Sequence, residues 1–274
     1  MMRKQTPYLQ AHGIDAPHER VVIRRRGAIA AMREQLTDRH GRPKFKTPEQ
    51  AGRVIYSSPT VDVAANMELV RETVEACRVI LELTTWDIRL LSKSNLLPKV
   101  AELLEDRPDA RERMIYGVST GTLDDRVAAV FEGGTARVSK RLESLHRLQD
   151  EGFRTFGMIC PNLPQRDYFR FAAEMREAIR AAKCEHVWAE VLNARGASMT
   201  RTVAALRAAG YVWEADQLVF VSHDKAAWES YARQTFLAHV AEVARPGKLR
   251  FLQYVTADSR AWWKSREPDG AILL

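Results

Sequence analysis

The sequence predicts an α/β fold made of repeated strand–helix units, and two observations support this prediction. From Arg53 onward, short and nearly continuous apolar runs alternate with longer stretches of helical periodicity. Such runs are typical of parallel strands that are buried on both faces. Gly152 and Gly210 also stand where predicted helices should end. Strand–helix–strand repetition requires right-handed crossovers and parallel neighbours, which a doubly wound sheet and a barrel-like sheet both satisfy.

The predicted elements divide the chain into three parts. Residues 1–52 are polar and irregular, with one short helix predicted around Ala28–Leu36. Residues 53–195 form a strand–helix core, and residues 196–274 form a helical cap with a final strand. The predicted strands are 53–58, 87–92, 113–119, 154–160, 186–192 and 248–255. The predicted helices are 66–83, 95–105, 136–151, 166–182, 199–209 and 224–244.

Composition predicts a cytoplasmic protein with no membrane partner. The 274 residues are 46% hydrophobic, enough for one large α/β domain. No run approaches the roughly 18 apolar residues of a membrane span, and the start lacks the pattern of a signal peptide. Cys77, Cys160 and Cys184 lie far apart and resemble neither a disulfide framework nor a metal-ligand cluster. The net charge of +7 favours anionic partners such as nucleic acid, or reflects only a solvated basic surface.

Polar residues follow the predicted strands, at the edge where parallel α/β sheets bind ligands. Hydroxyls there can bond a ribose or a carboxylate, and Lys93 can meet a carboxylate as a point charge. Glu190 can accept from a ribose hydroxyl or an amine. These residues can equally belong to polar loops or cap the next helix, but Lys93, between two serines directly after a buried strand, fits that explanation least. The candidates at the strand ends are Ser57, Ser58, Asp62, Lys93, Ser119, Cys160 and Glu190.

The order of these segments resembles the radical S-adenosylmethionine enzymes, and within them the spore photoproduct lyase-like, or DNA repair photolyase-like, group. The resemblance covers residues 53–195 and implies a partial parallel (β/α) barrel that binds S-adenosylmethionine. It departs from the family pattern at Val61, which separates the usual threonine and acid, and at Gly133, where the family has proline after glutamate. The segments that carry it are SSPTVD, LLSKSN, RMIYGVSTGTLDDR, FEGGTARVSKRLESLHRLQDEGF and MICPNLP, in that order.

The resemblance also implies roles for individual residues. Lys93 would contact the methionyl carboxylate of the cofactor, and Ser119 the same moiety. Pro161 and Leu163 would pack against the adenine. The residues that would line the cofactor side are Ser57, Ser58 and Asp62.

One departure bears directly on activity. The family binds a [4Fe–4S] cluster through a CxxxCxxC loop after its first strand, and this sequence contains no CxxxCxxC. The strand at 53–58 matches the family's second strand, so the first strand and the cluster loop are expected to be missing. Three explanations remain open: Met1 or Met2 is an internal methionine of a longer chain, the chain is a degenerate homologue, or another polypeptide supplies the loop.

These observations leave three functional hypotheses. The first is a radical S-adenosylmethionine enzyme, or its carboxyl-terminal portion, that acts on nucleic acid or another macromolecule. The second is a non-catalytic nucleic-acid-binding module on a degenerate barrel of this type. The third, an ordinary α/β enzyme, is the least expected, because no phosphate loop, dinucleotide fingerprint or G-x-S-x-G elbow is present. No catalytic residue and no metal ligand is assigned.

Overall fold

The computed structural model describes residues 10–11, 13–14, 26–57, 61–192, 197–243, 247–253, 255–266 and 269–274. Within them, seven strands form one sheet in sequence order, and every neighbouring pair is parallel. The α/β class and the parallel strands are therefore confirmed. The strands are β1 (Val54–Tyr56), β2 (Asp87–Ser92), β3 (Met114–Ser119), β4 (Arg154–Asn162), β5 (His186–Val191), β6 (Leu249–Leu252) and β7 (Ile272–Leu273).

Helices connect these strands. The first precedes β1, and the last lies between β6 and β7. In chain order they are α1 (Ala28–Leu36), α2 (Met67–Leu83), α3 (Leu97–Glu102), α4 (Pro108–Arg113), α5 (Asp125–Phe131), α6 (Val138–Asp150), α7 (Tyr168–Ala178), α8 (Ala197–Ala208), α9 (Val212–His223), α10 (Lys225–Glu242) and α11 (Arg260–Lys264). Among the described residues, no helix has both the length and the apolar character needed to cross a bilayer.

The sheet curls into a partial barrel. Its sequential strand order excludes the doubly wound alternative, in which the order reverses partway across the sheet. Tyr56 on β1 stacks on Trp188 on β5, with ring centroids 5.9 Å apart and planes 19° apart. Four strand spacings in a flat sheet would separate these strands by roughly 19 Å. The side chains meet because the sheet bends around them, which confirms the predicted partial barrel.

The two faces of the sheet have different chemistry, because successive residues of a strand point to opposite sides. On the outer face, Ile88, Leu90 and Tyr116 are buried in the core that the helices cover. On the concave face, Arg89 lies beside the rings of Phe156 and Trp188. Apolar packing therefore stabilises the outside of the half-barrel, whereas its inside is aromatic and basic.

The differences from the predicted elements are local. The short helices α4, α5 and α11 and the strand β7 were not predicted, because so few residues show no clear periodicity. The helix α9 was predicted only as part of the helical cap, without bounds of its own. Their capping signals are nevertheless present: Pro108 stands at the start of α4, and the Asp124 carboxylate accepts from two backbone N–H groups at the start of α5. Gly152 and Gly210 have φ of 78° and 84°, as expected at helix ends. The domain division at 195 stays a prediction, and β6 and β7 continue the same sheet.

Candidate active site at the strand ends

Lys93 begins the loop after β2 and forms an ion pair with Glu132. The Lys93 ammonium donates a hydrogen bond to Glu132 Oε1. The Lys93 side chain is 30% exposed, whereas that of Glu132, at the end of α5, is only 4% exposed. The pair therefore has a buried anionic end and a cationic end that reaches solvent.

A second cation lies behind Glu132. Arg141 on α6 is fully buried, and its Nη1 lies 2.7 Å from Glu132 Oε2 in an ion pair without hydrogen-bond alignment. The same guanidinium donates to the Ser119 carbonyl at 2.9 Å and to the Ala136 carbonyl at 2.7 Å. Several hydrogen bonds of this kind are what a buried charge needs to offset its desolvation. Lys93, Glu132 and Arg141, here called the strand-end triad, carry one net positive charge.

Asp62 holds the backbone of Lys93 in place. Its Oδ2 accepts from the Lys93 backbone N–H at 2.6 Å. Its Oδ1 accepts from the Ser92 hydroxyl at 2.6 Å and from the Ala64 backbone N–H at 2.9 Å. Both carboxylate oxygens are thus bonded within the chain, and Asp62 ties the loop after β1 to the end of β2.

Ser119, Cys160 and Glu190 link the ends of β3, β4 and β5. The Ser119 hydroxyl donates to the Cys160 carbonyl at 3.1 Å, and the Cys160 thiol donates to Glu190 Oε2 at 3.2 Å. Burial, reinforced by the neighbouring Glu190 carboxylate, raises the pKa of the Cys160 thiol. Cys160 is therefore a protonated thiol at neutral pH, and such a thiol is a poor nucleophile and a poor metal ligand.

The remaining predicted residues have different surroundings. Leu163 is buried in a small apolar cluster that includes residues of α8 and α9. A Cβ on Gly121 would clash with the Pro161 carbonyl oxygen, so the β3 and β4 ends approach as closely as glycine permits. The Ser57 hydroxyl is buried and has no hydrogen-bond partner among the described residues. Ser58 lies outside the described residues.

A cavity of about 940 Å³ lies between α1, α2 and the outer face of β1 and β2, and it extends to the loop after β1. Ser57 and Asp62 line it together with mainly apolar side chains, whereas Lys93, Ser119 and Glu190 do not. The structure thus separates the predicted residues into two groups, one at the cavity and one at the strand ends. Asp62 belongs to both groups, because it lines the cavity and hydrogen-bonds to the Lys93 backbone.

Sequence reasoning did not place Arg141 at the site, and Glu132 entered it only as the glutamate before Gly133. A signal for Arg141 was present in the pattern of α6. Positions 138, 141, 145 and 148 recur at helical spacing, and all four are buried. An arginine within an otherwise apolar stripe is a candidate for a buried ion pair.

The cysteines of this chain do not fit a [4Fe–4S] cluster. Cys77 lies on the core-facing side of α2, and Cys184 is buried just before β5. Cys160 is engaged with Glu190. Within the part of the chain that the structure describes, no group of three or more His, Cys, Asp or Glu side chains is arranged to hold a metal ion.

Comparisons with known proteins found similarity in solved structures alone. A tyrosine-to-phenylalanine mutant of spore photoproduct lyase matches with a TM-score of 0.42 and 17% identity, over 59% of this chain and 44% of that one. A cysteine-to-serine mutant of spore photoproduct lyase matches with a TM-score of 0.45 and 15% identity, over 65% of this chain and 50% of that one. The chain thus spans about half the length of these structures or less. No protein-family profile matches the chain, and no curated protein matches it.

Proposed function

We propose that the strand-end triad binds the carboxylate of S-adenosylmethionine, on a partial barrel of the radical S-adenosylmethionine type. The observation that carries the proposal is the triad's single net positive charge, with Lys93 at its accessible end. An ammonium has three N–H donors, and Glu132 accepts one of them. The other two are suited to a carboxylate that approaches from solvent.

The surrounding residues would position this ligand. Glu132 and Asp62 hold the side chain and the backbone of Lys93, respectively. Glu190, at the end of β5, would face the amine or the ribose hydroxyls. When bound, S-adenosylmethionine supplies an electrophilic sulfonium. Radical cleavage of that sulfonium would need a cluster held by residues other than the cysteines of this chain, so the proposed function of the chain itself is cofactor binding.

The test is a binding titration by calorimetry with the full chain and two ligands. S-adenosylmethionine carries the amino-acid carboxylate, whereas 5′-methylthioadenosine lacks it. We expect Lys93→Met to weaken S-adenosylmethionine binding about 10- to 100-fold, as the loss of a charge-assisted hydrogen bond would, and to leave 5′-methylthioadenosine binding unchanged. Lys99→Met is the matched control, since Lys99 also pairs with a glutamate but lies on α3.

Equal weakening of both ligands by Lys93→Met would mean that Lys93 supports the fold rather than the carboxylate. If the unmodified chain binds neither ligand, the proposal is wrong. The nucleic-acid-binding hypothesis would then take its place, and it predicts DNA binding that weakens steeply with salt.

A further inference from the structure

The concave face of the half-barrel holds a buried arginine that lacks an acceptor among the described residues. Arg89 on β2 is 4% exposed, and within that part of the chain its guanidinium forms no ion pair and no side-chain hydrogen bond. Its nearest partners are the rings of Phe156 and Trp188, each 5.4 Å from the guanidinium carbon. Aromatic faces attract the charge, but they accept none of its five N–H groups in the way an oxygen does.

Arg250 adds a second cation to the same place. Its guanidinium carbon lies 5.5 Å from the Trp188 ring centroid, so both arginines lie beside the same indole. The nearby carboxylates are already engaged, because Asp87 and Glu185 both pair with Arg154, which lies level with Arg89 in the strand register. Like charges held together out of water repel each other, and the pKa of Arg89 is lowered by burial and then by Arg250.

The buried polar atoms of this cluster that have no hydrogen-bond partner among the described residues are all donors. Arg250 Nη2 donates to His186 Nε2 at 3.0 Å, which leaves the His186 proton on Nδ1. Burial and the two arginines lower the pKa of His186 to about 4, so the ring is neutral near pH 7. The buried nitrogens of the cluster that have no partner within the described ranges are Arg89 Nε, His186 Nδ1, Trp188 Nε1 and Arg250 Nε. Several donors without an acceptor call for a ligand that is rich in acceptor oxygens.

We propose that the concave face binds a phosphoryl group beside the guanidinium groups of Arg89 and Arg250, with His186 and Trp188 as further donors. Two guanidinium groups match the double charge of a phosphate and its several acceptor oxygens. The edge of the site is open to solvent, since His186, Trp188 and Arg250 are each partly exposed, whereas the four donor nitrogens lie beneath that edge and are themselves buried. Within it, Trp188 lies two residues, roughly 7 Å, before Glu190 on the same face of β5. The observations that support this phosphoryl site involve no residue of the strand-end triad.

The test measures the thermal midpoint of the full chain against inorganic phosphate, with sulfate and acetate as comparison anions and chloride at equal ionic strength as the baseline. Phosphate and sulfate should raise the midpoint in a saturable manner, and acetate should raise it less. Arg89→Gln and Arg250→Gln should each weaken the apparent phosphate affinity at least tenfold. Arg170→Gln is the control, because this α7 arginine is 77% exposed and paired on the surface.

A ligand-binding role and a purely structural role of Arg89 predict opposite effects of Arg89→Gln on the thermal midpoint in phosphate-free buffer. An arginine kept for a ligand is uncompensated there, so Arg89→Gln should leave the midpoint unchanged or raise it. A lowered midpoint together with an unchanged phosphate response would overturn the proposal. So would a wild-type chain that responds to phosphate no more than to chloride. If Arg89→Gln fails to fold, Arg250→Gln and the wild-type anion series decide the question.

Discussion

Replacement of Arg141 by methionine tests the energetics of the strand-end triad. Methionine keeps most of the side-chain length and removes the guanidinium. The Ser119 carbonyl then loses a buried donor, and Glu132 keeps Lys93 as its one remaining cationic partner within the triad. An unsatisfied buried carbonyl costs about 1–3 kcal/mol. Breaking a buried ion pair from one side costs about 3–5 kcal/mol in all, and we expect Arg141→Met to lower the free energy of unfolding by that amount.

The double variant Arg141→Met with Glu132→Gln separates charge from packing. It removes the uncompensated carboxylate along with the guanidinium, so it should cost only about 1–3 kcal/mol, less than Arg141→Met alone. The assay is urea denaturation followed by far-ultraviolet circular dichroism. Arg147→Met is the matched control on the same helix, because Arg147 is half exposed and pairs on the surface, where its loss should cost about 0–1 kcal/mol.

Two results would refute this reasoning. One is a cost for Arg141→Met no larger than that of Arg147→Met, which would mean that the buried pair contributes nothing beyond a surface pair. The other is a double variant whose cost equals the sum of the costs of Arg141→Met and of Glu132→Gln, each measured alone, which would mean that Arg141 and Glu132 are not energetically coupled.

Two further predictions concern the same half of the molecule. His239 is buried, its Nε2 donates to Asn162 Oδ1, and burial lowers its pKa to about 4. Between roughly pH 6.5 and pH 4, the unfolded chain therefore binds more protons than the folded chain. The free energy of unfolding falls as the pH falls through that window. His239→Gln should remove about 2 kcal/mol of the loss between about pH 7.5 and pH 5, measured by urea denaturation, and an unchanged slope would contradict the assignment. Gly121→Ala should destabilise the chain, since the added Cβ would clash with the Pro161 carbonyl oxygen. Gly133→Ala is the control, because a Cβ added there meets no atom within 4 Å. Equal thermal midpoints for the two variants would exclude the clash.

The strand-end location of Lys93 follows from local pattern. β2 was predicted at 87–92, as observed, because a strand buried on both faces requires a continuous apolar run. The residue after such a strand must lie at the carboxyl edge of a parallel sheet. The same logic located Ser119 at the end of β3 and Cys160 near the end of β4, which continues two residues further, to Asn162. The sequence thus predicted the edge at which to look for a ligand.

The side-chain partners of these residues could not be predicted from local sequence pattern. Glu132 lies 39 positions after Lys93, and its approach depends on how α5 and α6 pack above the sheet. The hydroxyl of Ser57 was predicted as a ligand group. Its buried position, without a hydrogen-bond partner in the described part of the chain, emerges only from the packing around it.

By itself, the sequence determined the alternation of strands and helices, the parallel direction of the strands and the polar edge that follows them. Apolar periodicity reports which residues are buried, so it predicts these features from neighbours a few positions apart. The tertiary structure alone decided the curl of the sheet, the strand-end triad and the approach of Arg89 and Arg250 to the same indole on the concave face. Each depends on the distance between elements far apart in the chain, and the charge on an isolated arginine carries no information about which residue it will face.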